Sequence, residues 1–118
     1  MYDSNGQVRT AEKPLNKAIE ENPNLSEAWY QRGLLYLDFG SSEKAISDFE
    51  AAVRTDPQHL DARLRIAAIL HEGRDVEKAA TAWRKVLDVD SQNRLARRRL
   101  EECREQINTK REALVPKD

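Results

Sequence analysis

The sequence predicts an all-α protein made of stacked antiparallel helix pairs. Three observations point there: a repeat with a period of 34 residues, apolar residues at helical spacing in each half-period, and only four glycines and four prolines in 118 residues. So few turn formers argue against an all-β chain and against a disordered linker.

The period is read column by column. Ala11, Ala45 and Ala79 align, as do Leu15, Phe49 and Trp83. Ala18, Ala52 and Val86 follow, then Ile19, Val53 and Leu87, then Ala28, Ala62 and Ala96. Pro23 meets Pro57, with Ser91 third, and Arg32 heads a column that continues with Ile66 and Leu100. Matched small and large positions at a fixed period mark stacked supersecondary units. The spacing predicts helices over Glu27–Phe39, after Ser42 to the Asp56-Pro57 stop, over Asp61–Glu72, over Val76–Val89, and from Asn93 through Arg111. Pro57 ends the second of these because proline lacks a donor and disfavours helix in the residue before it. Ser42 is the expected N-cap there, and Gly40-Ser41-Ser42 and Gly73 are the turns. At the N-terminus Asn5-Gly6-Gln7-Val8 reads as a turn, followed by a short helix over Glu12–Asn22 with Pro14 in its first turn.

Residues Trp29, Gly33, Tyr36, Ala45, Phe49, Ala52 and Pro57 resemble the tetratricopeptide repeat pattern W-x₂-L-G-x₂-Y…A-x₃-F…P. Arg32 departs from it, standing where the family has an apolar residue. The resemblance covers residues 6 to 107 and implies a right-handed superhelical solenoid. The expected division is one domain, 1–118, with a half repeat at 6–25, a full repeat at 26–59, a degenerate repeat at 60–93 and a capping helix at 94–112. The degenerate repeat keeps Ile66, Ala67, Leu70, Ala79 and Trp83 but has Arg63 for the tryptophan and Ser91 for the proline. A generic helical bundle is the competing reading, and the matched spacing together with the Asp-Pro stop weighs against it.

Composition narrows the function. Charged residues make up 35% and the net charge is −1, so no global field favours nucleic acid or an anionic membrane. No apolar run reaches the roughly 20 residues of a membrane span, and Met1–Thr10 has no signal-like core. A soluble intracellular, cytoplasmic location is expected. The lone Cys103 can form no internal disulfide and falls on the apolar stripe Ala96, Leu100, Cys103, Ile107. His59 and His71 read as surface histidines without a partner at metal-ligand spacing. No phosphate loop or nucleophile motif is present, so neither an enzyme, a cofactor nor a metal site is expected.

What remains is recognition. The resemblance implies a concave face formed by the first helix of each repeat, on which a protein or peptide ligand lies. Tyr30, Gln31, Leu34, Leu37 and Asp38 fall on that face, followed by Leu64, Arg65, Ala68 and His71, and by Arg98, Arg99 and Glu102 on the last helix. Tyr30, Leu34, Leu64 and Ala68 would form an apolar strip beside basic residues, or else complete helix packing. The carboxylate clamp that some members use on heat-shock chaperones does not carry over. Tyr30 and Leu34 stand where its first Lys and Asn would be, and in a shifted register only Arg65 fits. The run Arg97-Arg98-Arg99 is read as a solvated face braced by Arg98–Glu102 and Arg97–Glu101 pairs, ahead of contact with an acidic partner, protein or nucleic acid. A structural alternative is weak homo-oligomerisation through an exposed N-terminal edge carrying Leu15 and Ile19, unless residues before Thr10, among them Tyr2 and Val8, shield it.

Overall fold

The structure is a computed structural model that describes residues 4–116, with side chains from residue 6 onward. Six helices follow one another: α1 (Ser4–Glu21), α2 (Ser26–Asp38), α3 (Ser42–Thr55), α4 (Leu60–Glu72), α5 (Val76–Val89) and α6 (Arg94–Leu114). The chain forms two compact units, Met1–Ala62 and Arg63–Asp118, with the boundary inside α4.

Corners with a 34-residue period join the pairs. Asn22, Asp56 and Asp90 each accept, through a side-chain oxygen, the N–H two residues on, from Asn24 (3.2 Å), Gln58 (3.1 Å) and Gln92 (3.3 Å). Their own N–H groups close the preceding helix onto Ala18, Ala52 and Val86. Such Asx turns compete with helix continuation. Prolines occupy the next position in the first two corners, yet Asp90-Ser91 turns in the same way, so the side-chain acceptor is the element common to all three. At Asp56 the following proline holds the backbone extended (φ −142°, ψ 93°).

The α2–α3 turn is closed differently. Gly40 has φ 81°, Ser41 N–H donates to Tyr36 C=O at 2.8 Å, and Gly40 N–H donates to Leu37 C=O at 3.0 Å. This pair of bonds is a Schellman motif, which needs a left-handed residue. Because Ser41 closes α2 and also precedes α3, α3 begins at Ser42, one residue earlier than expected. Ser41 takes the cap position without a side-chain cap bond. The start of α2, at Leu25, also lacks a side-chain cap, whereas α4, α5 and α6 are capped by side chains: His59 Nδ1 accepts Ala62 N–H, Asp75 accepts Lys78 N–H, and Asn93 accepts Ala96 N–H.

α1 corrects the expectation at the N-terminus. It is a single 18-residue helix from Ser4, with Asn5–Val8 inside it and Pro14 well beyond its first turn. An interior proline removes one backbone bond and costs on the order of 3 kcal/mol. Packing against α2 holds the helix nonetheless. Ile19 is buried and Leu15 is half-buried, so the two residues expected at an open edge are largely covered. The exposed side of α1 is largely polar and carries Arg9, Lys13 and Lys17 at helical spacing, with Glu20 and Glu21 in its last turn. Val8 is half-buried within the helix; Tyr2 lies outside the described residues.

The cores are alanine-rich, with one large aromatic each. In the first unit Phe49 is fully buried, with Ala45 and Ala52 on the same helix. In the second unit Trp83 is buried, as are Ala67, Ala79 and Val86. Alanine columns let helices approach closely, so the aromatic fills what volume remains. Gly33 is the tightest point. A Cβ there would lie 2.6 Å from Phe49 Cε1 and 2.7 Å from Cδ1. Replacing Gly33 by Ala gains about 1 kcal/mol of helix propensity. The ring has nowhere to go, and overpacking costs about 1–3 kcal/mol. Gly33→Ala is therefore expected to lower the urea midpoint with an unchanged slope; a raised midpoint would contradict this packing.

Candidate functional site

On α2 the expected ligand face divides into covered and open residues. Tyr30 is buried, its ring 5.6 Å from that of Phe49 and 4.7 Å from that of His59, so it is a core residue rather than a surface anchor. Gln31 is exposed and donates to Glu27 Oε1 at 2.8 Å. Leu34 and Leu37 are half-buried, and Asp38 is exposed. His59 is not a free surface histidine. Its Nδ1 accepts the Ala62 N–H at 3.1 Å while Nε2 lies 3.4 Å from Glu27 Oε2, which places the proton on Nε2.

Behind this face lies a polar cluster that joins three helices. Arg32 grips Asp48 with two bonds of 2.8 Å and donates a third, at 2.9 Å, to Asn16 Oδ1 on α1. The Asp48 side chain is 4% exposed and that of Arg32 19%. The guanidinium also lies 5.1 Å from the Trp29 ring and 5.7 Å from the Tyr36 ring. Tyr36 O–H donates to Glu12 at 2.6 Å, a second tie to α1. Its bond with Asp48 pushes the Arg32 pKa up against the cost of burial. Burial, followed by donation to the Glu12 carboxylate, pushes the Tyr36 phenol up to about 12. Asp48 and Asn16 are the residues that sequence reasoning missed. A signal was present: the columns of Arg32 and Asp48 continue as Ile66 and Ala82, so both depart from apolar or small in the same repeat.

In the second unit α4 keeps Leu64 half-buried and leaves Arg65 and Ala68 exposed, while Ala67 is wholly buried. On α6 Arg98 is exposed and Arg99 is half-buried. The brace here is Arg99–Glu102 at 3.0 Å, at i,i+3, in place of the expected Arg98–Glu102 and Arg97–Glu101 pairs. Glu102 is drawn the other way as well, lying 3.6 Å from His71 Nε2. His71, read as a surface residue, accepts the Trp83 indole N–H at 3.2 Å and lies 3.9 Å from Cys103 Sγ. Cys103 is 1% exposed, and burial followed by the nearby Glu102 pushes its thiol pKa up, which disfavours the reactive thiolate. Among the described residues no group of three histidine, cysteine or acidic side chains is placed to hold a metal ion. No helix among them is long and apolar enough to cross a membrane.

A tetratricopeptide repeat profile matches residues 2–59 and 30–94. This chain belongs to the tetratricopeptide repeat family. A TPR repeat-containing protein of Rhizobium etli is 31% identical over 86% of this chain and 46% of its own length. The small glutamine-rich tetratricopeptide repeat-containing protein 2 of Mycosarcoma maydis is 29% identical over 79% of this chain and 26% of its own. The chain thus spans less than half of either relative. Among solved structures, the first TPR domain of Spaghetti bound to an HSP90 peptide matches with a TM-score of 0.72 at 20% identity, covering 88% of this chain and 82% of that one. The Sgt2 TPR domain of Aspergillus fumigatus matches with 0.70 at 24% identity, covering 98% and 78%. These likenesses show the tetratricopeptide fold.

Against the tetratricopeptide pattern, Arg32 is the departure with structural consequences. Removing one partner of a buried pair costs about 3–5 kcal/mol, whereas an apolar replacement of both is often neutral. Asp48→Ala is expected to fall near the low end of that range, because Arg32 keeps some contact with water. The double change Arg32→Ile, Asp48→Ala copies the second repeat and should recover most of the loss. Chemical denaturation of the four members of the cycle checks this; additive losses would mean that the two residues do not act as a pair.

Tyr36 supplies a second expectation. Its pKa rises from 10.0 to about 12, so the folded state retains the proton longer than the unfolded chain. The stabilisation is fully present below the unfolded value and is lost as pH rises through the folded one. Melting temperature should therefore fall between these two values, and Tyr36→Phe should flatten that decline. An equal decline in both proteins would place the alkaline sensitivity elsewhere.

Proposed function

We propose that this chain is a protein–protein interaction module, an adaptor without a catalytic role, that takes a segment of a partner protein on the open face of its repeat-first helices. The observation that carries the reading is the sidedness of α4. Ala67 is wholly buried, while Arg65 and Ala68 are exposed beside half-buried Leu64. An apolar surface next to an unburied cation offers an anchor together with a charge that sets register. Leu34, Leu37 and Gln31 on α2, and Arg98 and Arg99 on α6, extend the set of candidate contacts in their own units. Tyr30 is not among them.

Family membership supports this class of function, and the Spaghetti domain of similar fold is bound to an HSP90 peptide. The ligand proposed here is a peptide or helix with an apolar anchor. A chaperone carboxylate clamp is not proposed, because Tyr30 and Leu34 hold the positions of its first Lys and Asn.

The test is affinity capture with mass spectrometry, comparing the parent with Arg65→Glu, Ala68→Glu. Both positions are exposed and helical, so circular dichroism should be unchanged while the captured partner is lost. Retention of the same partner by the variant would move the site off α4.

A further inference from the structure

In the second unit a line of polar contacts runs from the core to the surface. It begins at Trp83, 1% exposed, whose indole N–H donates to His71 Nδ1 at 3.2 Å. On the other side of the ring, His71 Nε2 lies 3.6 Å from Glu102 Oε2. That same oxygen accepts from Arg99 Nη1 at 3.0 Å, and Glu102 Oε1 accepts from it at 3.2 Å. The line opens to water as it goes, the side chain of His71 being 25% exposed and those of Glu102 and Arg99 39% and 38%.

An imidazole is the side chain that changes charge near neutral pH. Facing this one are Trp83 from α5 and Cys103 and Glu102 from α6, with Arg99 behind Glu102. On α4 itself the exposed Glu72 adjoins it. Burial pushes the Cys103 thiol up, so it keeps its proton, and the guanidinium keeps its charge. The contacts fit a neutral ring. Nδ1 accepts the indole N–H, so the proton sits on Nε2, toward Glu102. A second proton must go to Nδ1. Two N–H donors then meet, and the Trp83 bond is lost. The new Nδ1–H has Cys103 Sγ, 3.9 Å away, as a weak acceptor. The charged ring also draws Glu102 Oε2 in from 3.6 Å, toward the roughly 2.7–2.9 Å of a charge-assisted bond. Because Oε2 holds Arg99 at the shorter distance, the guanidinium loses its closer contact. We propose that His71 is a pH-operated relay between core and surface: its protonation breaks the Trp83 bond, takes Glu102 and releases Arg99. On the reading of the ligand face given above, Arg99 is a candidate contact. Acidification from about pH 8 to pH 5 then offers a partner's carboxylate a cation that Glu102 holds at higher pH. By linkage, a carboxylate seated on Arg99 favours proton uptake at His71.

The test needs no ligand, so its failure and failure of the α4 reading are separable. The isotope-labelled full chain is titrated by NMR from about pH 8 to pH 5. Its two tryptophans provide an internal control. The Trp29 indole N–H donates to Pro23 C=O, which does not titrate, so its signal should stay in place. The Trp83 indole signal should move upfield as its bond is lost. Side-chain signals of Glu102 and Arg99 should follow the same curve. His71→Gln keeps an acceptor but takes no charge, and it should flatten all three responses. His59, held by Ala62 N–H, Glu27 and the Tyr30 ring, remains in that variant, so the loss assigns the titration to His71. Glu102→Gln should keep the Trp83 response and abolish that of Arg99. A Trp83 signal that stays fixed in the parent, or moves as far in His71→Gln, overturns the proposal. An Arg99 signal that follows pH without Glu102 overturns it too. Circular dichroism checks the fold of each variant, and if His71→Gln does not fold, the parent and Glu102→Gln still decide.

Discussion

The bond between Arg32 and Asp48 is the constraint around which the first unit is arranged. A carboxylate that is 4% exposed needs hydrogen-bond donors in place of water, and Arg32 supplies two at 2.8 Å. The guanidinium must then lie in the plane of that carboxylate, which fixes the rotation of α2 against α3. Its remaining donor reaches Asn16, and the neighbouring Tyr36 reaches Glu12, so α1 docks by hydrogen bonds where a solenoid normally offers only an apolar stripe. This helps explain how α1 stays helical through Pro14: the residues on both sides of the proline are held from outside the helix. The second unit does without the pair. Ile66 and Ala82 stand in the same columns, and burial of Trp83 supplies the contact. Charge pairing gives geometric specificity at a cost in desolvation, whereas apolar packing is less directional.

The two units also use polar groups differently at their helix ends. His59 caps α4 with its ring and leans on Tyr30, so a residue type associated with titration acts as a cap and a packing surface. In the second unit His71 sits between the Trp83 indole and Glu102, with Cys103 alongside. Each ring has one nitrogen accepting and the other facing a carboxylate. That arrangement satisfies polar atoms in a half-buried place, and among the described residues no buried side-chain nitrogen or oxygen lacks a partner.

Surface chemistry follows from what the cores leave over. Helices that pack through alanine sit close together, so their larger aliphatic residues are pushed to the flanks of the contact. Leu34, Leu37 and Leu64 are half-buried for that reason, and Leu114 lies beyond the last packed turn of α6 altogether. Residues of this kind belong neither to the core nor to the solvated surface. They are the positions at which a repeat protein can add a partner without remaking its interior.

The helices, their order and their approximate ends were legible in the sequence because they rest on local chemistry: the period of Ala45, Phe49 and Ala52, the Asp56-Pro57 stop, and Asn93 as a cap. Membership of the tetratricopeptide family rests on the same spacing. The candidate face was legible only as a set of helix positions. Which of its residues are open depends on neighbours distant in the chain, so Tyr30 was placed on the surface although Phe49 and His59 cover it. Periodicity likewise showed Arg32 as an exception but could not supply Asp48 and Asn16, each 16 residues away. The long α1 was hidden for a related reason. Gly6 and Pro14 are helix breakers by intrinsic preference, and only packing against α2 outweighs that preference. Spacing along one chain determines which residues share a helix face, and tertiary contact decides which of those faces meets protein and which meets water.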